Sequence, residues 1–480
     1  MIPSSGYNNE MNRIVSRSLL VALCFLTPFA HGESASPTPV SPVLNQNDRY
    51  KNLELFQKVL QFVEKNYVDP VQNDALMNGA LKGMMETLDP HSNFLTPDVY
   101  RDMKIDTSGK FGGVGIEVGI KDDILTVLVP MEDSPAWKAG IQPGDKIVKI
   151  NGESTRGYTL SEAILKMRGK NGTSVVMTIF RKGWSKFKNI TLTREEIKIR
   201  SVRSEMLESG FGYVRLASFN ENAAKDVKKA IDTLEKKEKL KGLIFDLRMN
   251  PGGLLDQAVD VASLFIDEGV VVSTIGRDSA SKEVREAKKG NARKELPLVV
   301  LVNSSTASAA EIVAAALQDH HRAMILGDTT FGKGSVQTIV DLGNEMGLKL
   351  TIARYYTPSG TSIQEKGVTP DIFLDEYDPK LLDKAKITRE STRERDLKGH
   401  LVNTQNSVAR DEFSIQEFKE NASSSPAHAK KKKEASEVSA TEDDDFGDMM
   451  PIKFDPKDDY QTQQALRYLK SFEVFKKLKQ

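Results

Sequence analysis

The chain of 480 residues is long enough for about three domains of ordinary size. Its 39% hydrophobic and 28% charged residues are typical of a globular protein and exclude fibrous and multi-pass membrane classes. Lys and Arg number 67, as do Asp and Glu, so there is no overall basic charge to hold nucleic acid. The single cysteine, Cys24, cannot close an intramolecular disulfide.

The N-terminal segment has the pattern of a secretory signal peptide. Arg13 and Arg17 precede an apolar run from Leu19 to Leu26, and small residues lead up to Gly32. Because this run is too short to span a bilayer, residues 1–32 are predicted to be removed during export. An uncleaved N-terminal anchor is the alternative. We therefore expect a periplasmic or envelope-associated protein rather than a secreted one.

The composition then changes three times along the chain. Residues 33–47 are rich in Ser, Pro and Asn, which predicts a linker. Over residues 48–105 apolar residues recur every three or four positions, which predicts a helical region. Residues 106–195 contain short β-type runs separated by Gly and Asn turns, which is typical of a mainly β domain. Between residues 196 and 378 strands alternate with helices, so an α/β sheet with helical crossovers is expected.

The remaining C-terminal part is predicted as three segments. Residues 379–403 form an extension, and residues 404–448 are of low complexity, with opposite charge blocks that indicate disorder. Residues 449–480 are predicted to contain a helix, on which Ala465 and Leu469 belong to one apolar face. That face needs a partner, which is either the body of the protein or a second copy. A homodimer through the helical flanks is therefore left open.

Two glycine-containing strings mark the predicted β domain, the first from Phe111 to Ile116 and the second from Ser134 to Ile147. In the first, successive backbone N–H groups can form a nest for an anion such as a terminal carboxylate. A glycine-rich hairpin without function is the alternative. Together the two strings resemble a bacterial PDZ domain. The resemblance implies a loop for a peptide C-terminus and an apolar pocket for its last side chain. The implied loop residues are Gly112, Gly113, Val114, Gly115 and Ile116, and the implied pocket residues are Ile116, Val118, Ile164 and Met167.

A candidate nucleophile follows the apolar strand Leu298–Val302. Ser308 opens an alanine-rich helix there, and a serine at a strand-to-helix turn has an exposed hydroxyl close to the helix dipole and to free N–H groups. Ordinary capping of the helix is the alternative. A nucleophilic serine needs a base, but His320 and His321 would lie at the far end of the helix, about 18 Å away. His91 stays a conceivable base, although a His-Ser pair next to a helix stop is more typical of structural packing.

Lys333 is the other candidate base, because a partly buried ammonium group has a lowered pKa. It lies between two glycines, and Gln337 follows on a predicted strand, where its amide can hold the lysine amine. Residues 327–334 also match a phosphate-binding loop, except that Gly334 replaces the hydroxyl residue that binds magnesium. A phosphate-binding enzyme is therefore a minor alternative.

Three strings of the α/β region, Asp246–Leu254, Thr306–Ile312 and Thr330–Gln337, resemble the carboxyl-terminal processing peptidases, which are tail-specific proteases of the Ser-Lys type. The similarity covers about residues 50–378. The resemblance implies that Ser308 is the nucleophile, Lys333 the general base and Gln337 the residue that orients Lys333. It also implies oxyanion donors, which are the backbone N–H groups of Ala309 and of Gly252 or Gly253.

By the same resemblance, the fold is an α/β core like that of crotonase and Clp-type peptidases, with an inserted mainly β PDZ domain and helical flanks. The expected activity is cleavage of proteins with apolar C-termini through an acyl-enzyme, without a metal or cofactor. Whether an activating adaptor protein is needed stays open. The alternative function is a catalytically silent scaffold that binds peptides through the PDZ domain.

Overall fold

The computed structural model describes most of the chain. The described residues are 46–376, 391–403, 405 and 454–478. The predicted signal peptide, nearly all of the predicted linker and the low-complexity segment other than Gln405 lie outside them. None of the helices in these ranges has the length and apolar character needed to cross a bilayer. The chain divides into two compact units, Met1–Asn73 and Asp74–Gln480.

The described part contains helices in both units. In chain order they are α1 (Gln46–Asn66), α2 (Asn73–Glu86), α3 (Pro97–Ser108), α4 (Pro135–Lys138), α5 (Leu160–Met167), α6 (Ala223–Lys237), α7 (Leu255–Ala262), α8 (Ala309–Asp319) and α9 (Tyr460–Leu478). Two short 3-10 turns are present at Ser279–Ser281 and Glu394–Asp396.

The strands form three larger sheets and one two-stranded ribbon. In chain order they are β1 (Asn93–Leu95), β2 (Lys110–Gly113), β3 (Ile116–Lys121), β4 (Ile124–Pro130), β5 (Lys146–Ile150), β6 (Glu153–Ser154), β7 (Ser174–Phe180), β8 (Lys188–Thr193), β9 (Glu195–Lys198), β10 (Val202–Glu208), β11 (Phe211–Leu216), β12 (Gly242–Asp246), β13 (Val270–Gly276), β14 (Glu283–Glu286), β15 (Leu298–Val302), β16 (Met324–Gly327), β17 (Ser335–Gly343), β18 (Met346–Tyr356) and β19 (Ile372–Phe373).

The predicted PDZ domain is an antiparallel sheet of order β3-β4-β5-β7-β8, with β6 beside β5. Its alternating strands bury one side chain in two, as in β7, where Val175, Met177 and Ile179 are fully buried. The β2–β9 ribbon lies where the chain enters and leaves this domain. Strand β3 is the edge strand of the described sheet, so one side of its backbone is open for pairing.

The main sheet has the order β10-β11-β12-β15-β16-β19 and is parallel except for β10. Strands β12 and β15 are buried along their whole length, which explains their unbroken apolar sequences. Side chains of β15 alternate between the two faces. Val300 and Val302 pack in the cluster that includes α6, α7 and α8, whereas Val299 and Leu301 pack in the cluster that includes α9.

The first half of helix α9 packs its apolar face against the main sheet of the protein. Ala465, Leu466 and Leu469 are buried against the sheet. Further along the same helix, Phe472 and Phe475 are mostly exposed.

A second sheet has the order β1-β18-β13-β14, with β17 beside β18. The alternation of strands and helices along the sequence predicted the main sheet but not this second sheet. Only the strand that contains Gln337 was expected. Strands β17 and β18 form a long hairpin with register shifts at Val336/Gln337 and at Asp341/Gly343. The first of these irregularities lies directly after the loop that contains Lys333.

Candidate active site

Ser308 lies at the turn between β15 and α8. Its backbone has φ 54° and ψ −117°, a conformation that residues with a side chain rarely adopt. The side chain is only 8% exposed, and the residue immediately precedes the N-terminus of a helix buried over most of its length. A strained strand-to-helix turn of this kind is typical of nucleophilic serines.

The turn before Ser308 is held by the loop that follows β12. The hydroxyl of Thr306 donates to the carbonyl oxygen of Leu247 at 2.9 Å, and the N–H of Ala307 donates to the carbonyl oxygen of Asn250 at 2.9 Å. Both loops follow neighbouring parallel strands, so they meet at the carboxyl edge of the sheet, where α/β folds place their binding sites.

The carboxylate of Glu311 joins the candidate nucleophile to the candidate base. One oxygen, Oε2, accepts the backbone N–H of Ser308 at 2.8 Å and that of Lys333 at 2.9 Å. The other oxygen accepts the N–H of Gly332 at 2.7 Å and the hydroxyl of Thr330. Glu311 is fully buried, and burial raises its pKa to about 7 despite these donors. No role was predicted for Glu311 from the sequence, although Ser-x-x-Glu at a helix start is the signature of a capping box.

The ammonium group of Lys333 is half-buried, and this burial lowers its pKa to about 8. The nearby positive charge of Lys349 lowers the pKa further, whereas the negative charges of Glu394, Glu311 and Asp89 oppose the change. An amine with this pKa is largely neutral in mildly alkaline solution, where it can accept a proton.

Tyr355, on β18, is a further residue beside the candidate nucleophile. Its buried hydroxyl interacts with the side chain of Ser308 through a hydrogen bond, and burial raises the pKa of Tyr355 to about 12. The phenol therefore stays protonated at physiological pH. No local sequence pattern indicated Tyr355, because β18 belongs to the sheet that the sequence did not predict.

The backbone N–H groups of the two glycines proposed as oxyanion donors differ in their hydrogen bonding. The N–H of Gly252 donates to Asn250 Oδ1 at 2.8 Å, so it is not available, and this prediction is corrected. The N–H groups of Gly253 and Ala309 have no acceptor among the described residues. The backbone of Gly252, at φ 95°, packs so closely on Ser308 that an added Cβ would lie 2.8 Å from the serine Cβ. Glycine is therefore required at this position for steric reasons.

Gln337 does not make the contact expected from the sequence. Its side-chain N–H groups donate to Ser335 Oγ at 2.9 Å and to Thr351 Oγ1 at 3.3 Å, and in the described part of the chain no hydrogen bond joins Gln337 to the amine of Lys333. The reason is that Lys333 lies before Ser335, the first residue of β17, so the strand alternation on which the shared-face argument rested does not extend to the lysine.

The phosphate-loop alternative is not supported by the structure. The N–H groups of Gly332 and Lys333 would have to point at a phosphate, but both donate to the buried carboxylate of Glu311. The carboxyl group of Glu311 thus already occupies the position that a bound phosphate would need.

Of the predicted peptide loop, Val114 and Gly115 lie between strands β2 and β3, and Ile116 is the first residue of β3. The carbonyl oxygens of Val114 and Gly115 accept N–H groups from the 131–136 turn at 3.0 and 2.9 Å. The N–H groups of these two residues have no acceptor among the described residues, so they are available to a carboxylate. Gly112 and Gly113 instead lie in the β2–β9 ribbon, where Gly112 approaches Gly169 too closely for any side chain.

The four predicted pocket residues come together in the core of the same domain. Val118 and Met167 are buried, and Ile116 and Ile164 pack on the cluster that contains them. Ile116 and Val118 belong to the open edge strand β3, and Ile164 and Met167 to α5. An extended peptide added to β3 would therefore have α5 on its other side.

Fold and site together define an α/β serine protease core that carries a PDZ domain. Residues 210–374 match peptidase family S41, residues 126–181 match the PDZ domain, and residues 30–99 match the N-terminal domain of the activating protease CtpB. The chain is 44% identical over 366 residues to the carboxy-terminal-processing protease of Bartonella bacilliformis, which covers 76% of this chain and 83% of the relative. The chain therefore belongs to the carboxy-terminal processing protease family.

A second relative agrees with this membership, and one solved structure is reported beside it. The carboxy-terminal processing protease CtpA of Bacillus subtilis is 40% identical over 316 residues, which are 66% of this chain and 67% of the relative. The solved structure of a photosystem II D1 C-terminal processing protease is 33% identical, covers 67% of this chain and 92% of its own, and has a TM-score of 0.39. The predicted fold class, an α/β core with a PDZ domain and helical flanks, is confirmed.

Proposed function

We propose that the chain is an exported endopeptidase in which Ser308 is the nucleophile and Lys333 the general base. The observation that carries this assignment is the single carboxylate oxygen of Glu311, which accepts both of their backbone N–H groups and so fixes the two loops against each other. The lowered pKa of Lys333 and the strained turn at Ser308 support the same roles.

In the proposed reaction, the neutral amine of Lys333 takes the hydroxyl proton of Ser308 as the oxygen attacks the scissile carbonyl carbon. The N–H groups of Gly253 and Ala309 stabilise the resulting oxyanion. The protonated lysine then gives its proton to the leaving amine, and an acyl-enzyme remains. Water, deprotonated by the same lysine, hydrolyses the ester and restores Ser308.

The PDZ domain is proposed to select the substrate. A terminal carboxylate would bind the free N–H groups of Val114 and Gly115, and an apolar last side chain would enter the pocket formed by β3 and α5. Export is proposed from the signal-peptide pattern of residues 1–32. The substrate class is therefore proteins of the cell envelope with apolar C-termini.

The test is cleavage of a loosely folded protein with an apolar C-terminal tail, followed by mass spectrometry of the products. We expect the wild-type protein to cleave it, and Ser308→Ala and Lys333→Ala to be inactive. Ser305→Ala and Lys366→Ala are matched controls, because both side chains are exposed near the site, and they should retain activity.

A charged tail on the same substrate should abolish cleavage if the PDZ groove selects it. Tail binding without cleavage by any form would instead favour the catalytically silent scaffold. Cleavage that persists in Lys333→Ala would reject the Ser-Lys assignment while leaving the serine protease intact.

A further inference from the structure

A segment far along the chain covers the Lys333 loop. Residues 391–403, here called the strap, follow the core domain. The N–H of Glu394 donates to the carbonyl oxygen of Phe331 at 3.1 Å, and the guanidinium of Arg393 donates to the carbonyl oxygen of Thr330 at 3.0 Å. The strap thus binds the backbone immediately before Lys333.

The far end of the strap is attached to a second loop of the core. The side chain of Asn403 donates to the carbonyl oxygen of Gln364 at 2.9 Å. The ring of His400 contacts the carboxylate of Glu365 at 2.7 Å, and the N–H of Asn403 donates to the same carboxylate. The side chain of Glu365 therefore secures the far end of the strap, while its backbone N–H donates to the carbonyl oxygen of Gly332 at 2.9 Å, next to Lys333.

Glu394 is the fully buried charged residue of the strap. Its carboxylate contacts His91 Nε2 at 2.7 Å and accepts the side-chain amide of Gln364 at 3.0 Å. Burial opposes ionisation, but these two hydrogen bonds hold the pKa of Glu394 below its ordinary value. A buried, ionised carboxylate is costly unless it is fully hydrogen-bonded, so its partners are held firmly in place.

Gln364 carries this restraint to the residue after the base. While its amide nitrogen donates to Glu394, its amide oxygen accepts the N–H of Gly334 at 2.9 Å. The contact is close, because a Cβ at Gly334 would lie 2.4 Å from the backbone nitrogen of Gln364. Lys333 is thus restrained on both sides, by Glu311 directly and by Glu394 through Gln364.

We propose that Glu394 is a positioning residue for the general base, acting through Gln364 and the N–H of Gly334 to hold Lys333 in its reactive position. This inference rests on the proposed role of Lys333. It assigns a function to the strap, which lies outside the matched peptidase region. Glu394 does not touch the substrate in this proposal and is not a catalytic residue.

The charge of Glu394 also has a measurable effect on Lys333. The charged groups around the lysine come from four parts of the fold, namely Lys349 on β18, Glu311 on α8, Asp89 after α2 and Glu394 on the strap. Each negative neighbour favours the protonated amine. Removing only the charge of Glu394 should therefore lower the pKa of Lys333 and move the acidic limb of the pH–rate profile to lower pH.

The test uses the full chain with Glu394→Gln, Glu394→Ala and the control Glu365→Gln. Cleavage is measured as kcat and KM across pH. In addition, the titration of Lys333 is measured by trace acetylation with acetic anhydride and mass spectrometry, which does not depend on activity. We expect Glu394→Ala to lose on the order of 100-fold in kcat with little change in KM, because a displaced catalytic group loses about this much.

Glu394→Gln keeps the shape and the acceptor for Gln364, so it should recover most of kcat, with the limb and the lysine titration moved to lower pH. Glu365→Gln weakens the side-chain attachment of the far end of the strap and keeps the backbone hydrogen bond from residue 365 to Gly332, so it should lower the melting temperature while leaving kcat within about twofold. The proposal is overturned if Glu394→Ala keeps near-normal kcat, or if all three variants lose activity alike with an unchanged Lys333 titration.

Failure of the proposed function has a different signature. If Lys333→Ala still cleaves the substrate, Lys333 is not the base. The acetylation profile of Lys333 in Glu394→Gln and Glu394→Ala then still decides whether Glu394 positions the lysine and raises its pKa. This is because the labelling measures the reactivity of the lysine side chain and not cleavage.

Discussion

Two glycine-containing loops of this protein look alike in sequence and differ in what their backbone N–H groups do. In the PDZ domain, the N–H groups of Val114 and Gly115 have no acceptor among the described residues. In the peptidase core, those of Gly332 and Lys333 donate to Glu311, and that of Gly334 donates to Gln364.

The difference shows that glycines permit a convergent backbone but do not decide its use. The first loop keeps its donors free for a ligand from outside, as a terminal carboxylate would require. The second loop has an internal acceptor for each donor, which makes it a rigid support for a lysine. A glycine-rich pattern therefore predicts a ligand site only if nothing in the fold already occupies the donors.

The largest expected effect comes from removing the internal acceptor of the core loop. Glu311→Ala leaves four buried donors without their partner, at a cost of about 1 to 3 kcal/mol for each one that water does not reach. We expect a loss of cleavage on the order of 100-fold, because the nucleophile and base loops are no longer fixed together. Urea unfolding and peptide cleavage measure the two effects.

Glu311→Gln is the matched variant, since its amide oxygen keeps an acceptor in the same place. It should retain more activity and more stability than the alanine variant. Near-normal cleavage by Glu311→Ala would show that the two loops need no common carboxylate.

The next largest effect is expected from a substitution in the PDZ loop, whose N–H groups have no acceptor among the described residues. Gly115 has φ 70°, and an added Cβ would lie 2.3 Å from that of Ser134. In Gly115→Ala the loop should shift and lose charge-assisted hydrogen bonds to a terminal carboxylate, which corresponds to roughly a tenfold or greater loss of tail affinity. Fluorescence polarisation with a labelled apolar peptide measures it.

Hydrolysis of a small ester by Gly115→Ala provides the control, because such a substrate does not use the PDZ groove. It should remain close to the wild-type rate. Equal loss of both activities would mean that the change had disturbed the peptidase core.

A smaller effect is expected from the apolar pocket beside the open loop. Ile164 on α5 is half-buried and packs on the domain core. Ile164→Ala removes apolar contact area worth about 1 to 2 kcal/mol, so the affinity for an apolar tail should fall roughly fivefold to thirtyfold. A tail ending in alanine should lose less than one ending in leucine, and an equal loss for both would contradict a side-chain pocket here.

The smallest effect is expected from changing the charges around the loop that contains Lys333. Lys349 lowers the pKa of Lys333, so Lys349→Gln should let that pKa rise above about 8. Because the base must be neutral, activity at neutral pH should fall and the acidic limb should move to higher pH. This is opposite in sign to the shift expected for Glu394→Gln. Matching profiles for the two variants would exclude an electrostatic origin.

Much of the architecture follows from the sequence alone. The apolar run Leu298–Val302, the serine after it and the glycines around Lys333 are local patterns. Their pairing was implied by the family resemblance, and in the structure the backbone N–H groups of Ser308 and Lys333 share the carboxylate of Glu311. The PDZ pocket residues were implied by the resemblance to a PDZ domain, and the structure brings them together in one cluster.

The sequence did not show which polar groups form hydrogen bonds with each other. Gly252 and Gly253 are adjacent and look equivalent, but only the first donates to Asn250. Gln337 lies on β17, whereas Lys333 precedes the first residue of that strand, and the sequence did not show where the strand begins. Tyr355 comes from a strand that sequence periodicity missed.

The sequence by itself thus determined the order of the elements and the chemical groups that are present. Only the tertiary structure decided which of those groups are free and which are restrained. The physical reason is that hydrogen-bond acceptors come from distant parts of the chain, as Glu394 on the strap does for the loop at Gly334, and a local sequence pattern carries no information about such partners.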